Sequence, residues 1–374
     1  MARLCGERNW CRPVPCHLPT GIGAATAPHR RDRGAGSAEW PGRADGALPS
    51  DFGTDRHRRK SVSAVREMVY GRPKRVLVQT RKRGRQMEGF GISAALLTPF
   101  TPSGEIDTVR LGRHASDVLS RGADGVTLFG TTGEGASIGA QERGAGLEAL
   151  LTAGIPPARI TLCLCATAVA DAVAQIELGL EAGIARFLLP PPFYFGGADD
   201  AGLLDWHLEL FRSAPAAARV ILYNIPQVIG IGISPGLMDR LLEAAPDRIV
   251  AIKDSSGDWD NAQQLLERGT LPVLVGDERL LHKAVALGCA GSITGMANLL
   301  PERLARLFAT GEEDRALSDL VDRIVAGPVM PSLKVLLAMA RSDAAWERVR
   351  PPLSPLDPAS REALLAAGMP EAKV

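Results

Sequence analysis

From Gly91 onward the chain alternates between two kinds of segment. Short, almost continuous apolar runs recur at 91–100 (GISAALLTPF), 125–134, 159–167, 186–194, 219–226, 248–256, 272–278 and 291–298. A strand buried on both faces, as in a parallel sheet, reads as such a run rather than as an alternation. Between the runs lie stretches of helical spacing. DTVRLGRHASDVLSRG has Asp107 as its N-cap and Gly122 as its stop, VADAVAQIELGLEAG ends at Gly183, and SPGLMDRLLEAAPD opens on a Ser-Pro pair suited to a first turn. The runs start 19 to 34 residues apart, the spacing of repeated βα units. Eight strands alternating with helices predict an α/β fold, a (β/α)8 TIM barrel over 87–309. An open doubly wound sheet is the competing reading. It calls for a glycine-rich dinucleotide turn, and no GxGxxG follows the first run. Residues 310–374 read as helices only (EEDRALSDLVDRIVAG, MPSLKVLLAMA, SREALLAAG) and predict a C-terminal helical appendage.

Charge divides the chain before it describes it. The overall net charge is +1, but residues 1–86 carry 19 Lys+Arg against 7 Asp+Glu, and the remainder is acidic by 11 charges. The first 86 residues show no sustained period and are dense in Arg, Gly, Pro and Ser. Such a segment buries too little apolar surface to offset its ordering entropy, and reads as a basic, disordered extension. Met87 stands immediately before the first patterned strand and reads as the true start of a self-sufficient domain, with 1–86 as translated sequence upstream of it. A basic nucleic-acid arm and an Arg-rich targeting peptide are the competing readings of 1–86; a nucleic-acid partner is not expected. No apolar run reaches membrane-spanning length. Cys163 and Cys165 alternate along an apolar run, and neither they nor Cys289 have zinc-finger spacing. They read as small buried hydrophobes of a cytoplasmic protein.

In a barrel of this kind, reactive side chains collect at the C-terminal ends of the strands. The runs end in TPF, GTTGEG, PPPFYF, YNIP, KDSSG and GDE. Of the four lysines after residue 86, only Lys253 ends an apolar run. Burial there favours the uncharged amine, a nucleophile toward a carbonyl. The competing reading pairs Lys253 with Asp254, Asp277 or Glu278. Tyr223 ends the preceding run, where a phenol can move protons for imine chemistry; the alternative is an aromatic plug. Tyr194, the other tyrosine of the domain, ends the fourth run. In GTTGEG (130–135), Gly130 and Gly133 allow close backbone approach, and successive N–H groups with Thr131 and Thr132 form a nest for a carboxylate. His114, His207 and His282 all fall in helical stretches, which argues against a metal site.

The set GTTGEG, YNIP, IKDSSG and GDE, in this order and spacing, resembles the dihydrodipicolinate synthase / N-acetylneuraminate lyase family across nearly all of residues 90–374. The resemblance implies a barrel without metal or organic cofactor, a homotetramer built as a dimer of dimers, and a lysine that forms an imine with pyruvate or another 2-keto acid before reaction with an aldehyde. It assigns that lysine to Lys253, the proton shuttle to Tyr223, and the carboxylate-binding and relay pair to Thr131 and Thr132. It gives Tyr194 a place in the neighbouring subunit's site and Ile293 a backbone carbonyl lining the pocket. Val228 stands where the synthase branch carries an arginine for the second substrate's carboxylate. A 2-keto-3-deoxy-sugar-acid or N-acetylneuraminate-type aldolase or dehydratase is therefore the competing expectation. A non-catalytic effector-binding barrel is a further one.

Overall fold

Side-chain alternation sorts each apolar run into one set facing inward and one facing the helices. The computed structural model describes residues 90–371, so the readings of 1–86 and of Met87 lie outside the described residues. Eight parallel strands, β1 (Gly91–Ala95), β2 (Gly125–Leu128), β3 (Ile160–Cys163), β4 (Arg186–Leu189), β5 (Arg219–Asn224), β6 (Ile249–Asp254), β7 (Val273–Val275) and β8 (Gly291–Thr294), close in sequence order. The barrel is thus the expected (β/α)8 fold. Its interior holds Ala95, Cys163, Leu188, Ile221, Tyr223, Ala251, Leu274 and Ile293. The outward set, including Ile92, Leu128, Leu162, Phe187, Leu222 and Ile252, packs under the helices.

The predicted caps are in place. Asp107 accepts a hydrogen bond from the Arg110 N–H at 2.9 Å at the head of the helix Thr108–Ser120, and Gly122 follows it at φ 108°. Ser234 accepts from the Leu237 N–H at 3.0 Å and opens the helix Pro235–Ala244.

One sequence reading is corrected, and one feature lay outside its reach. The fourth run does not extend as strand to Tyr194. β4 stops at Leu189, because Pro190, Pro191 and Pro192 supply no ladder N–H. Tyr194 lies in the loop beyond, not at a strand end. The pairing of β5 with β6 also carries a bulge that the run RIVAIKD does not announce. Val220 pairs with Ile249, but Ile221 pairs with Ala251. Val250 is the extra residue, and its insertion brings Lys253 opposite Tyr223 rather than Asn224.

Beyond the barrel's last helix, Pro301–Thr310, come Arg315–Val325, Val329–Arg341 and Pro358–Ala366. An 11-residue helix is marginal alone. Burial of Leu317, Leu320, Val321 and Ile324 on one face, at about 1.5–3 kcal/mol for each large apolar side chain, outweighs that deficit. Among the described residues no helix is long and apolar enough to cross a membrane.

Candidate active site

The bulged pairing sets the site. Lys253 and Tyr223 are register partners on adjacent strands, both turned into the barrel mouth and 5% and 3% exposed. The Lys253 Nζ lies 4.1 Å from the centroid of the Tyr223 ring. Gly276, just after β7, clears room for the lysine stem, since a Cβ there would stand 3.2 Å from Lys253 Cε and collide with Ser255 Oγ.

The three carboxylates that could have paired with Lys253 are engaged elsewhere. Asp254 accepts from Asn224 Nδ2 at 2.8 Å and from the Ser256 hydroxyl at 3.2 Å. Asp277 accepts from the Arg279 guanidinium at 2.6 Å. Glu278 is buried against the Thr294 hydroxyl and the Met296 N–H, and burial raises its pKa above the usual glutamate value. Among the described residues Lys253 has no ion-pair partner.

The Tyr223 hydroxyl lies 3.3 Å from Thr131 Oγ1, so the predicted threonine meets the predicted tyrosine. Thr131 belongs to the turn 130–135, which is braced on every side. The Thr98 hydroxyl donates to the Gly133 carbonyl at 2.7 Å, the Glu134 N–H to Thr131 O at 3.1 Å, and the Gly135 N–H to Gly130 O at 3.0 Å. Gly133 is obligatory, because a Cβ would stand 2.6 Å from the Leu96 carbonyl oxygen. A Cβ at Gly130 would meet nothing within 4 Å. Thr132 lies against β8, with its Oγ1 and Cγ2 each 3.4 Å from where a Gly295 Cβ would be. Among the described residues the N–H groups of Thr131, Thr132 and Gly133 donate to no protein acceptor. That is the arrangement of a backbone anion nest. Two non-glycine residues bracket the turn in the left-handed region, Phe129 at φ 57° and Glu134 at φ 55°. Each costs of order 1–3 kcal/mol, so the surroundings must enforce the conformation.

Several of those surroundings escaped the sequence reading. Arg143, almost fully buried on the helix Ala140–Thr152, donates to the Gly135 carbonyl at 2.8 Å and to the Cys163 carbonyl at 3.0 Å. Lys334 forms a buried ion pair with Glu134, and the Arg350 N–H donates to the same carboxylate at 2.9 Å. The visible signal for Lys334 was a lysine inside the apolar run PSLKVLLAMA. Cys163 sits in the barrel interior and Cys165 at its rim, its thiol lowered to about 7 by the hydrogen bond from Cys163 and by Arg143.

The structure leaves other candidates outside this cluster. Tyr194 is 78% exposed and stacks edge-on against Phe195; it does not reach the site of its own chain. Val228, on the short helix Pro226–Ile229, is 56% exposed. Ile293 is buried on β8, its side chain in the barrel interior. His114 and His207 are buried in helices, and among the described residues no three potential metal ligands cluster.

A barrel whose mouth sets an unpaired strand-end lysine against a tyrosine–threonine pair has the architecture of the class I aldolases. The comparisons agree. The profile of the dihydrodipicolinate synthetase family matches residues 89–367. An uncharacterized DapA-like lyase of Chloroflexus aurantiacus is 34% identical over 292 residues, covering 75% of this chain and 96% of its own. The 4-hydroxy-tetrahydrodipicolinate synthase 1 of Streptomyces coelicolor is 33% identical over 293 residues, covering 74% and 93%. Among solved structures, the dihydrodipicolinate synthase of Agrobacterium tumefaciens superposes with a TM-score of 0.73 at 40% identity, covering 74% of this chain and 98% of its own. The chain belongs to the dihydrodipicolinate synthetase family, and it is a lyase of the class I aldolase type.

Proposed function

We propose that Lys253 forms an imine with pyruvate, and that the resulting enamine makes or breaks a carbon–carbon bond to an aldehyde. The Lys253 Nζ attacks the keto carbon to give a carbinolamine. Loss of its hydroxyl as water, with a proton supplied by Tyr223, leaves the iminium. Tyr223 is left as a phenolate, and Thr131 relays protons between it and the substrate. The keto-acid carboxylate is held by the Thr132 hydroxyl and the free N–H groups of the 130–135 turn. The iminium withdraws electrons from C3, and transfer of a C3 proton to the Tyr223 phenolate restores the phenol and gives the nucleophilic enamine. The observation that carries this reading is the buried Lys253 beside Tyr223, with Asp254, Asp277 and Glu278 all engaged by other groups.

Borohydride reduction in the presence of pyruvate tests it. Mass spectrometry is expected to find one reduced pyruvyl group, on Lys253, and none in Lys253→Ala. A wild-type protein that gains no adduct would sink the imine, and an adduct persisting in Lys253→Ala would move it to another residue.

Val228 favours a second reading of the aldehyde side. An exposed valine offers no guanidinium to a carboxylate, which supports a neutral, sugar-type aldehyde over aspartate semialdehyde. Consumption of pyruvate with aspartate semialdehyde, glyceraldehyde or N-acetylmannosamine separates the two. We also assign Tyr194 to the site of a second copy within a tetramer. The exposed apolar stretch of Phe193, Tyr194 and Phe195 supports this. Sedimentation of the full chain as a monomer would exclude it.

A further inference from the structure

The turn that carries Thr131 and Thr132 is fixed from outside the barrel. Glu134 closes that turn in the left-handed region, with φ 55° and ψ 33°. Nothing in a glutamate side chain favours this conformation. What holds it is remote in sequence. One carboxylate oxygen pairs with Lys334 on the helix Val329–Arg341, with both side chains fully buried, and the other accepts from the Arg350 N–H at 2.9 Å. Lys334 also donates to the Arg348 carbonyl at 2.6 Å. The Arg350 guanidinium donates to the Gly104 carbonyl at 2.8 Å and to the Ser137 carbonyl at 3.0 Å, so it ties the same segment to the loop after β1. Because the Glu134 N–H donates to Thr131 O, rotation of Glu134 moves the Thr131 backbone directly, and with it the hydroxyl facing Tyr223.

Resting on the reading of Lys253 as an imine-forming lysine, we propose that Glu134 and Lys334 are positioning residues through which the C-terminal helical region sets the grip of the 130–135 turn on the keto-acid carboxylate. The alternative is an ion pair that only stabilises the fold. The two differ in a testable way. A buried pair replaced by neutral side chains of similar size is often close to neutral for stability, whereas a lone buried charge is costly. The double variant Glu134→Gln/Lys334→Met is therefore expected to keep the fold while removing the ion pair of the clamp.

The experiment measures the pyruvate concentration that half-saturates borohydride trapping, together with turnover and the thermal midpoint, in the full-length chain. The double variant is expected to melt near wild type while half-saturation rises roughly ten- to a hundredfold, the scale on which small misplacements act. Lys334→Arg, which keeps a cation against Glu134, is expected to retain most of the grip. A folded double variant with wild-type half-saturation and turnover would overturn the proposal. Should the double variant not fold, Glu134→Asp keeps the charge but shortens the reach; half-saturation unchanged in that variant overturns it equally. If wild type itself forms no adduct, the imine reading fails first, and that result is distinct from a clamp that does nothing.

Discussion

The Tyr223 hydroxyl joins two parts of the site, since its ring lies under the Lys253 amine and its oxygen meets Thr131. Tyr223→Phe separates these contributions. The ring keeps its place against the lysine, so the melting temperature should hardly move. Loss of the proton-transfer group should lower turnover by about 10²- to 10⁴-fold, while trapping with pyruvate reaches the wild-type end point more slowly. Equal turnover in Tyr223→Phe would assign the proton transfer to another group. Lys253 and Tyr223 were legible in the sequence because each ends an apolar run, and the chemistry of a barrel mouth supplies the rest. Tyr194 was misread as a strand end because its run looked continuous through three prolines. Glu134, inside the GTTGEG motif, was passed over because its partner Lys334 lies 200 residues away. A sequence shows a lysine in an apolar helix but not which buried acid compensates it.

At the scale of elements, the strands and helices followed from hydrophobic spacing and capping residues. The β6 bulge did not, since an extra apolar residue in an apolar run leaves no mark. Yet the register it sets is what brings Lys253 opposite Tyr223. The loops after the strands decide the second substrate, and there the sequence offers identities without geometry. Val228 illustrates this, for it stands exposed on the short helix Pro226–Ile229 that follows β5. Val228→Arg places a guanidinium on that helix, and a hydrogen bond to a charged group of about 1.5 kcal/mol amounts to roughly tenfold in binding. KM for aspartate semialdehyde should fall by about that factor, with KM for glyceraldehyde unchanged. If both respond alike, or neither does, the helix does not face the second substrate.

At the scale of the whole molecule, two histidines among the described residues are held neutral by burial in the fold. His114 donates through Nε2 to Asn298 Oδ1 at 2.8 Å, and His207 through Nδ1 to the Leu203 carbonyl at 2.7 Å; the other ring nitrogen of each is buried with no partner among the described residues. Burial lowers both pKa values from 6.5 to about 4. The unfolded chain therefore binds more protons than the fold between pH 6.5 and 4, and stability falls with pH across that window. Below about 4 both states are protonated and the loss is complete. Glu278 acts in the opposite sense, because its raised pKa gives stability back as the pH falls through it. Asp117, Glu142, Asp314 and Asp343 are lowered by their arginine partners against the pull of burial, and their contributions are lost only below the ordinary carboxylate range. The window above pH 4.5 thus holds the histidines and, with the opposite sign, Glu278. Each histidine is worth roughly 2–3 kcal/mol between pH 7 and 4.5. Urea unfolding of wild type and His207→Leu at both pH values measures this. The difference in unfolding free energy between the two pH values should shrink by about that amount in the variant, whatever the substitution costs at pH 7. An undiminished difference would mean that His207 takes up its proton within the folded barrel.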